Sequence, residues 1–551
     1  MTLTNLFGLC GGLGLFLYGM KLMSDALQDM AGDSLRRLVA AITSTPFRGV
    51  MIGTIVTMII QSSSATTVMI VSFVQAGLMG VQQALAVSMG ANVGTTITAQ
   101  LVAFKIDAYA LPIIAIGMAL ALFGRTKKQR YFGHCCFGFG LLFLGLTYMS
   151  SSMKFLAQKQ DFFLTFCHHP LLGILAGMAL TMVVQSSSAT MGLTIALAAQ
   201  GAIPLGAAIP IVLGNNIGTT ITVVLASIPN SREAKQAALG HVFFNVVGML
   251  LFLPFLTWFG DLVALTSDSV PRQIANAHSI FNIATTVIMF PFIRQIAALL
   301  QKVMPVDQVE HYSGPQYLTE SLLHTSPAAA VEAVKNEVVR AADIAVEMVR
   351  DAKKAVLEGS NRAIERLKVG EERVNELNHA VADYAARLWH RHISPDLSVA
   401  LASYVNGMSD VERVGDHCEN LREMAELIQE RKLTFTSAGQ EELTDLFNLA
   451  EEAMVSATDG VRNEDIEAAN RAAIDLENQI DNREKTLREH HIERLNKGQC
   501  TAEGGIAFVD ILSNLERIGD HAHNFAMIVR DLQRLHHGNL QPLHSEETKE
   551  S

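Results

Sequence analysis

Gln61-Ser62-Ser63-Ser64-Ala65-Thr66 sits inside an apolar stretch, and the same six residues return as Gln185-Ser186-Ser187-Ser188-Ala189-Thr190 inside another. A run of amide and hydroxyl side chains within lipid-soluble sequence is costly unless it lines a polar cavity. The apolar segment before the first run, residues 50–60, is about half of the roughly 20 residues that a membrane span needs. A short apolar piece, a polar break and a second apolar piece describe a broken or re-entrant helix. Two such breaks, 124 residues apart, predict one site assembled from two halves of an internal repeat.

The repeat extends well beyond the six residues. Gly12–Gly19 resembles Gly138–Gly145, Pro46 matches Pro170, Gly53 matches Gly177 and Thr57 matches Thr181. Gly90-Ala-Asn-Val-Gly-Thr-Thr-Ile-Thr98 returns as Gly214-Asn-Asn-Ile-Gly-Thr-Thr-Ile-Thr222. Duplication of about 5–125 as 132–295 is therefore expected, the two copies inverted if each crosses the membrane an odd number of times.

Charge divides the chain into two classes. Of 42 basic and 53 acidic residues, 15 and 8 fall in 1–300 and 27 and 45 in the remainder. The first part reads as membrane-embedded and the second as a soluble acidic domain. Met1–Met23 is apolar with no basic residue before Lys21 and reads as a first span, not a removed leader. The six cysteines show no paired spacing and are expected to be reduced. Arg125, Lys127, Lys128 and Arg130 crowd one short loop, and Arg294 and Lys302 follow the last apolar stretch. Positive residues favour the cytoplasmic side, so the second part is expected in the cytoplasm.

After Pro305 a linker over 301–326 gives way to sequence rich in Ala, Glu, Arg and Leu, with apolar positions at helical spacing such as Val334, Val338, Ala341 and Ile344. This region also repeats: Glu412-Arg-Val-Gly-Asp416-His-Cys-Glu419-Asn420 returns 104 residues later as Glu516-Arg-Ile-Gly-Asp520-His-Ala-His523-Asn524. A helical domain is expected over 327–535, with a disordered tail at 536–551.

A serine at each break can cap the following half-helix, whose free N–H groups and dipole attract an anion. Hydroxyl and amide oxygens can also accept a sodium ion. Residues 61–67, 90–98, 185–191 and 214–222 contain no Lys, Arg, Asp or Glu. An anion held by neutral dipoles alone is poorly compensated, and a sodium ion bound beside it would supply the missing charge and couple the two. The competing reading is helix-packing glue, since Ser and Thr are common at membrane helix interfaces; retention of nearly every polar residue in both copies argues against it. A serine hydrolase is disfavoured because no Gly-x-Ser-x-Gly elbow surrounds these serines. His241 and His278 each precede an asparagine by four residues, Asn245 and Asn282, and read as helix–helix hydrogen-bonding groups, with lining of the substrate path the competing role.

At these motifs the chain resembles the type II sodium/phosphate cotransporter family, whose duplicated Gln-Ser-Ser-Ser signature forms phosphate and sodium sites. The resemblance covers roughly residues 5–295. It implies that Gln61, Ser62, Ser63, Ser64, Thr66 and Thr67 bind substrate in the first copy, and Gln185, Ser186, Ser187, Ser188 and Thr190 in the second. Asn92, Thr95 and Thr96, with Asn215, Asn216, Thr219 and Thr220, would complete the site. Met191 stands where the first copy has Thr67, removing one oxygen.

Residues 327–535 resemble a PhoU-type domain, a pair of three-helix bundles. Glu412, Asp416 and Glu419 fall on one helical face, as do Glu516 and Asp520, with Glu371 and Asn375 or Glu477 and Asp481 on the matching earlier helices. Such carboxylates can hold a divalent cation or iron, the resemblance implies that they do, and the competing reading is a solvated acidic face paired with Arg413 and Arg517. In overall architecture the chain resembles the YjbB-like bacterial proteins.

The expected protein is all-α: a polytopic membrane transporter with broken helices in two repeats, followed by a PhoU-like pair of bundles. It is a non-enzyme that moves inorganic phosphate with Na+ by alternating access in the bacterial inner membrane. The bilayer and a second copy are its expected partners, and nucleic acid is not. The alternatives are outward phosphate movement, another oxyanion such as arsenate, or a phosphate sensor that transports little.

Overall fold

Pro46 and Pro170 open two 15-residue helices, and Gln61 and Gln185 close them in the left-handed conformation at φ 57° and 53°. A side chain with a Cβ adopts that conformation at a cost of about 1 kcal/mol, which the cap hydrogen bonds offset. Gln61 and Gln185 donate their backbone N–H to Thr57 O and Thr181 O at 2.7 Å. Each chain then restarts as a new helix two residues later.

The computed structural model describes residues 3–40, 45–104, 109–155, 160–305, 314–391 and 393–536, in two units, Met1–Gln308 and Val309–Ser551. The first unit begins with α1 (Leu3–Ala40), α2 (Pro46–Ile60), α3 (Ser63–Gln75), α4 (Val81–Gly94), α5 (Thr96–Val102) and α6 (Ala110–Phe123). Then come α7 (Lys127–Ser152), α8 (Gln160–His168), α9 (Pro170–Val184), α10 (Ser187–Ala199), α11 (Leu205–Gly218) and α12 (Thr220–Ser227). It ends with α13 (Arg232–Phe252), α14 (Leu256–Ala264), α15 (Val270–Met289) and α16 (Ile293–Val303). No strand occurs among the described residues.

Among the described residues, five stretches are long and apolar enough to cross a membrane: Leu3–Met30, Lys127–Ser152, Leu205–Ser227, Arg232–Ala264 and Val270–Val303. Helices α2, α3, α9 and α10, which flank the two breaks, are apolar but only 13–15 residues long. The basic cluster is more ordered than the loop expected of it. Thr126 caps α7 in a capping box with Gln129, so Lys127, Lys128 and Arg130 lie in its first turn.

Glycines let the duplicated helices approach backbone to backbone. On α1 and α7 the facing pairs are Gly12 with Gly145 and Gly19 with Gly138, so these two equivalent helices run antiparallel. A Cβ at Gly90 of α4 would lie 2.0 Å from Val50 O of α2, and one at Gly214 of α11 would lie 1.9 Å from Ile174 O of α9.

Residues 232–303 are a second duplication, with a 37-residue period. Gln236, Ala238, His241, Phe244, Asn245, Pro254 and Phe255 return as Gln273, Ala275, His278, Phe281, Asn282, Pro291 and Phe292. The two copies interlock. Gln236 Nε2 donates to Met304 O (2.7 Å) just after α16, and Gln273 Nε2 donates to Ser267 O (2.6 Å), the position 37 residues before Met304. Gly248 of α13 faces its own counterpart, Thr285 of α15, where a Cβ would lie 2.7 Å from Thr285 Cγ2.

The second unit holds α17 (Glu320–Thr325), α18 (Pro327–Glu358), α19 (Asn361–Trp389), α20 (Pro395–Arg431), α21 (Ser437–Asn463) and α22 (Ile466–Asn470). A π-helical turn over Arg471–Leu476 follows, then α23 (Glu477–Asn496) and α24 (Ala502–His536). Helices α18, α19 and α20 pack together, α21, α23 and α24 repeat the arrangement, and α18–α21 and α20–α24 contacts join the two bundles. The incoming chain is strapped to the first bundle. The wholly buried Glu337 carboxylate accepts from Gln316 N–H (2.8 Å) and Tyr317 N–H (2.6 Å), Arg340 donates to Gly314 O (2.8 Å), and Tyr384 donates to Thr319 O (2.9 Å). The tail expected from 536 lies, beyond His536, outside the described residues.

Gly214→Ala is expected to lower the thermal unfolding midpoint of the detergent-solubilised protein, at a cost of about 1–3 kcal/mol for an overpacked contact. Gly14→Ala, where an added methyl meets nothing within 4 Å, is the matched control and should not lower it.

Candidate functional site

Ser62 and Ser186 are the N-caps of α3 and α10, each accepting from the N–H three residues on, of Ala65 and Ala189, at 3.2 Å. Thr66 N–H and Thr190 N–H reach Ser62 O and Ser186 O. That leaves the first-turn N–H groups of Ser63 and Ser64, and of Ser187 and Ser188, without partners in their own helices. Each break is stitched by threonines: Thr57 donates to Thr66 Oγ1, and the Thr181 and Thr190 hydroxyls face each other, both at 3.0 Å. Thr67 bonds back to Ser63 O (2.7 Å), and its counterpart Met191 is simply packed in the core.

The asparagine-threonine motifs fall where expected, at interruptions between α4 and α5 and between α11 and α12. Thr96 bonds Val93 O, while Thr219 and Thr220 bond Asn216 O and Ile217 O. Thr95, like Thr219, is buried at the interruption itself. Helix α3 packs on α12 of the other repeat and α10 on α5.

Two buried brackets hold the asparagines. Asn92 Nδ2 donates to Asn245 Oδ1 (3.0 Å), Asn92 Oδ1 faces His241 Nε2 (3.2 Å), and Asn245 Nδ2 donates to His241 O (2.8 Å). Asn216, Asn282 and His278 repeat this at 2.9, 3.1 and 2.9 Å. Because each asparagine amide nitrogen is spent on Asn245 or Asn282, its carbonyl must accept from histidine, which assigns the Nε2–H tautomer. The helix–helix role read for His241 and His278 is the one observed. Asn92 and Asn216, expected in direct substrate contact, have their amides engaged by these brackets. Asn215 differs: Oδ1 accepts from Thr181 (2.8 Å), and its buried Nδ2 has no partner among the described residues.

In the second unit, Glu477, Asp481 and Asp520 place one carboxylate oxygen each within 4.8 Å of one another, the one such group among the described residues. The π-helical turn ends at Leu476, next to Glu477, and the Ala473 carbonyl inside it meets His523 Nδ1 (2.6 Å). Burial and then Asp520 push the nearby Glu516 carboxyl up, and burial and then Asp416 do the same to Glu412. The first copy is less fitted to a cation. Arg422 takes both oxygens of Glu419 (2.7 and 2.8 Å), Asn375 stands where the second copy has Asp481, and it donates to Glu371 (2.5 Å). Burial, then Glu419 and Asp416, raises Glu371. The exposed pair of Arg413 with Asp416 (3.4 Å) matches the solvated-face reading, and exposed Arg517 meets half-buried Glu516 (3.7 Å).

The long apolar helices and the paired helix breaks fit a membrane transporter with an appended helical domain. Residues 15–151 and 153–263 match the Na+/Pi-cotransporter family, and residues 338–425 and 443–529 match the PhoU domain. YqeW of Bacillus subtilis is 33% identical over 264 residues, 47% of this chain and 86% of that protein. The chain belongs to the Na+/Pi-cotransporter family. YjbB of Salmonella typhimurium, whose name proposes inorganic phosphate export, is 24% identical over 81% of this chain and 82% of its own. The sodium-dependent phosphate transport protein 2A of Rattus norvegicus is 24% identical over 44% of this chain and 60% of its own.

Replacing His241 or His278 with phenylalanine strands a buried asparagine carbonyl. Each variant is expected to lose about 1–3 kcal/mol of stability, read as a lowered thermal midpoint in detergent.

Proposed function

We propose that this protein is a sodium-coupled inorganic phosphate transporter of the bacterial inner membrane. Phosphate and Na+ meet in a site formed by both Gln-Ser-Ser-Ser breaks. The observation that carries this reading is the pair of serine-capped half-helix N-termini, one in each repeat, in motifs rich in hydroxyls and free of charged residues. Free N–H groups and the unpartnered Asn215 Nδ2 suit the oxyanion, and threonine, serine and glutamine oxygens suit Na+. The antiparallel packing of α1 on α7 supports inverted repeats and alternating access about a central site. The PhoU-like unit is a cytoplasmic regulatory domain in this reading. Outward transport is the second reading, favoured by the match to YjbB across both parts of the chain.

Radiolabelled phosphate flux in proteoliposomes under sodium gradients of either sign tests both readings. Sodium-dependent flux is expected, its direction decides between them, and no such flux in either direction would defeat the proposal. Ser62→Ala and Ser186→Ala should each cut that flux by about tenfold or more while inserting normally; full activity in either would remove that serine from the site.

We also propose that Glu477, Asp481 and Asp520 hold a divalent cation that stabilises the second bundle. At about a hundredfold excess of Mn2+ over its dissociation constant the gain is about 2.7 kcal/mol. A rise in thermal midpoint that Asp481→Asn abolishes and Asp416→Asn retains is the expected result.

A further inference from the structure

Duplication allows each hydrogen bond of the site to be compared with its copy, and one pair disagrees. Thr98 and Thr222 hold the same position in the first turn of α5 and α12. Thr222 donates its hydroxyl to Thr219 O in its own turn, at 2.9 Å. Thr98 instead donates across to Gln61 Oε1, at 2.8 Å. The other end of the Gln61 amide donates to Met58 O, so Gln61 is buried and closed at both ends, whereas Gln185 is exposed. Helix α1 adds to the closure. Ser24 donates to Ile60 O (2.5 Å), beside Gln61, while Ser150, at the matching place on α7, is directed to Ala196 O on α10.

The local sequences around both pairs are the same six-residue signature and the same Gly-Thr-Thr-Ile-Thr, and both glutamines keep the same left-handed backbone. Local sequence therefore does not dictate the difference. A helical threonine has two outlets of similar worth for its hydroxyl proton, a carbonyl of the preceding turn or an external acceptor. Exchanging one for the other conserves the number of hydrogen bonds, so the two arrangements lie close in free energy.

We propose that Thr98 and Thr222 are positioning residues for transport that hold Gln61 and Gln185 in turn. In the state seen here Thr98 occupies the Gln61 carbonyl and Thr222 leaves the Gln185 carbonyl free to a cation. In the opposite state Thr222 holds Gln185, and Thr98 turns back to Thr95 O. Each state thus withdraws one amide oxygen from the site and presents the other. The inference rests on the alternating-access reading above.

The test uses full-length, detergent-solubilised protein with its native cysteines replaced and one reporter, Ser63→Cys or Ser187→Cys, reacted with a water-soluble maleimide. Thr98→Val is expected to speed labelling at 63 and slow it at 187 by about fivefold, the weight of one hydrogen bond in an equilibrium. Thr222→Val should do the reverse, and Thr98→Ser, which keeps the hydroxyl, should label like the parent. Both valine variants shifting the reporters in the same direction, or shifting neither, would overturn the proposal. Labelling needs no flux, so phosphate transport in the parent protein alongside unmoved reporters defeats this inference and leaves the transport reading intact.

Discussion

A helix that stops inside apolar surroundings leaves backbone groups that only protein or ligand can satisfy, and the membrane unit is arranged around that debt. At both breaks the left-handed glutamine returns its N–H to the helix just ended, and the next serine caps the helix about to begin. Threonine hydroxyls stitch the two pieces to each other, and glycines on α4 and α11 let the following helices lie against α2 and α9 at backbone distance. What remains unsatisfied is a small set of first-turn N–H groups. Groups left in that state call for a polar partner.

How much of this was legible depends on how each feature is encoded. The breaks and their 124-residue repeat stand out because hydroxyl and amide residues contrast with an apolar background, and the roles of His241 and His278 followed from a spacing of four on one helix face. The 37-residue repeat in 232–303 is faint in sequence because its identities, such as Gln236, His241, Asn245 and Pro254 with their copies, are scattered through apolar residues that match almost anything. Only the crossed bonds of Gln236 and Gln273 make the twofold relation plain. The allegiance of Asn92 and Asn216 was hidden for a related reason. Motif proximity assigns them to the site, but their partners lie 153 and 66 residues away on α13 and α15.

The acidic unit shows the complementary limit. Its two copies carry the same Glu-x-x-x-Asp pattern, yet small replacements separate them. Arg422 neutralises Glu419 at two points, while the residue 104 positions on from Glu419 is His523, which is drawn to the π-helical turn. Asn375 in place of an aspartate removes a further charge from the first copy. A pattern of carboxylates is readable in sequence; which carboxylates remain uncompensated is decided by cations and backbone carbonyls that fold against them.

Neutrality of the membrane motifs bears on coupling more than on affinity. Two unit charges about 4 Å apart attract by roughly 4 kcal/mol at an effective dielectric of 20. Each hydrogen bond from a neutral donor to a charged group contributes about 1.5–3 kcal/mol. A permanent lysine or arginine would hold the anion whether or not sodium were present, and uncoupled passage would follow. With only dipoles lining the proposed site, a co-bound cation would be the largest single stabilising term, and neither ion would be well accommodated alone. A site built this way places the requirement for coupling in what the sequence leaves out, and it makes the supply of each neutral oxygen, including the two glutamine carbonyls that the structure holds so differently, a variable that the protein can use.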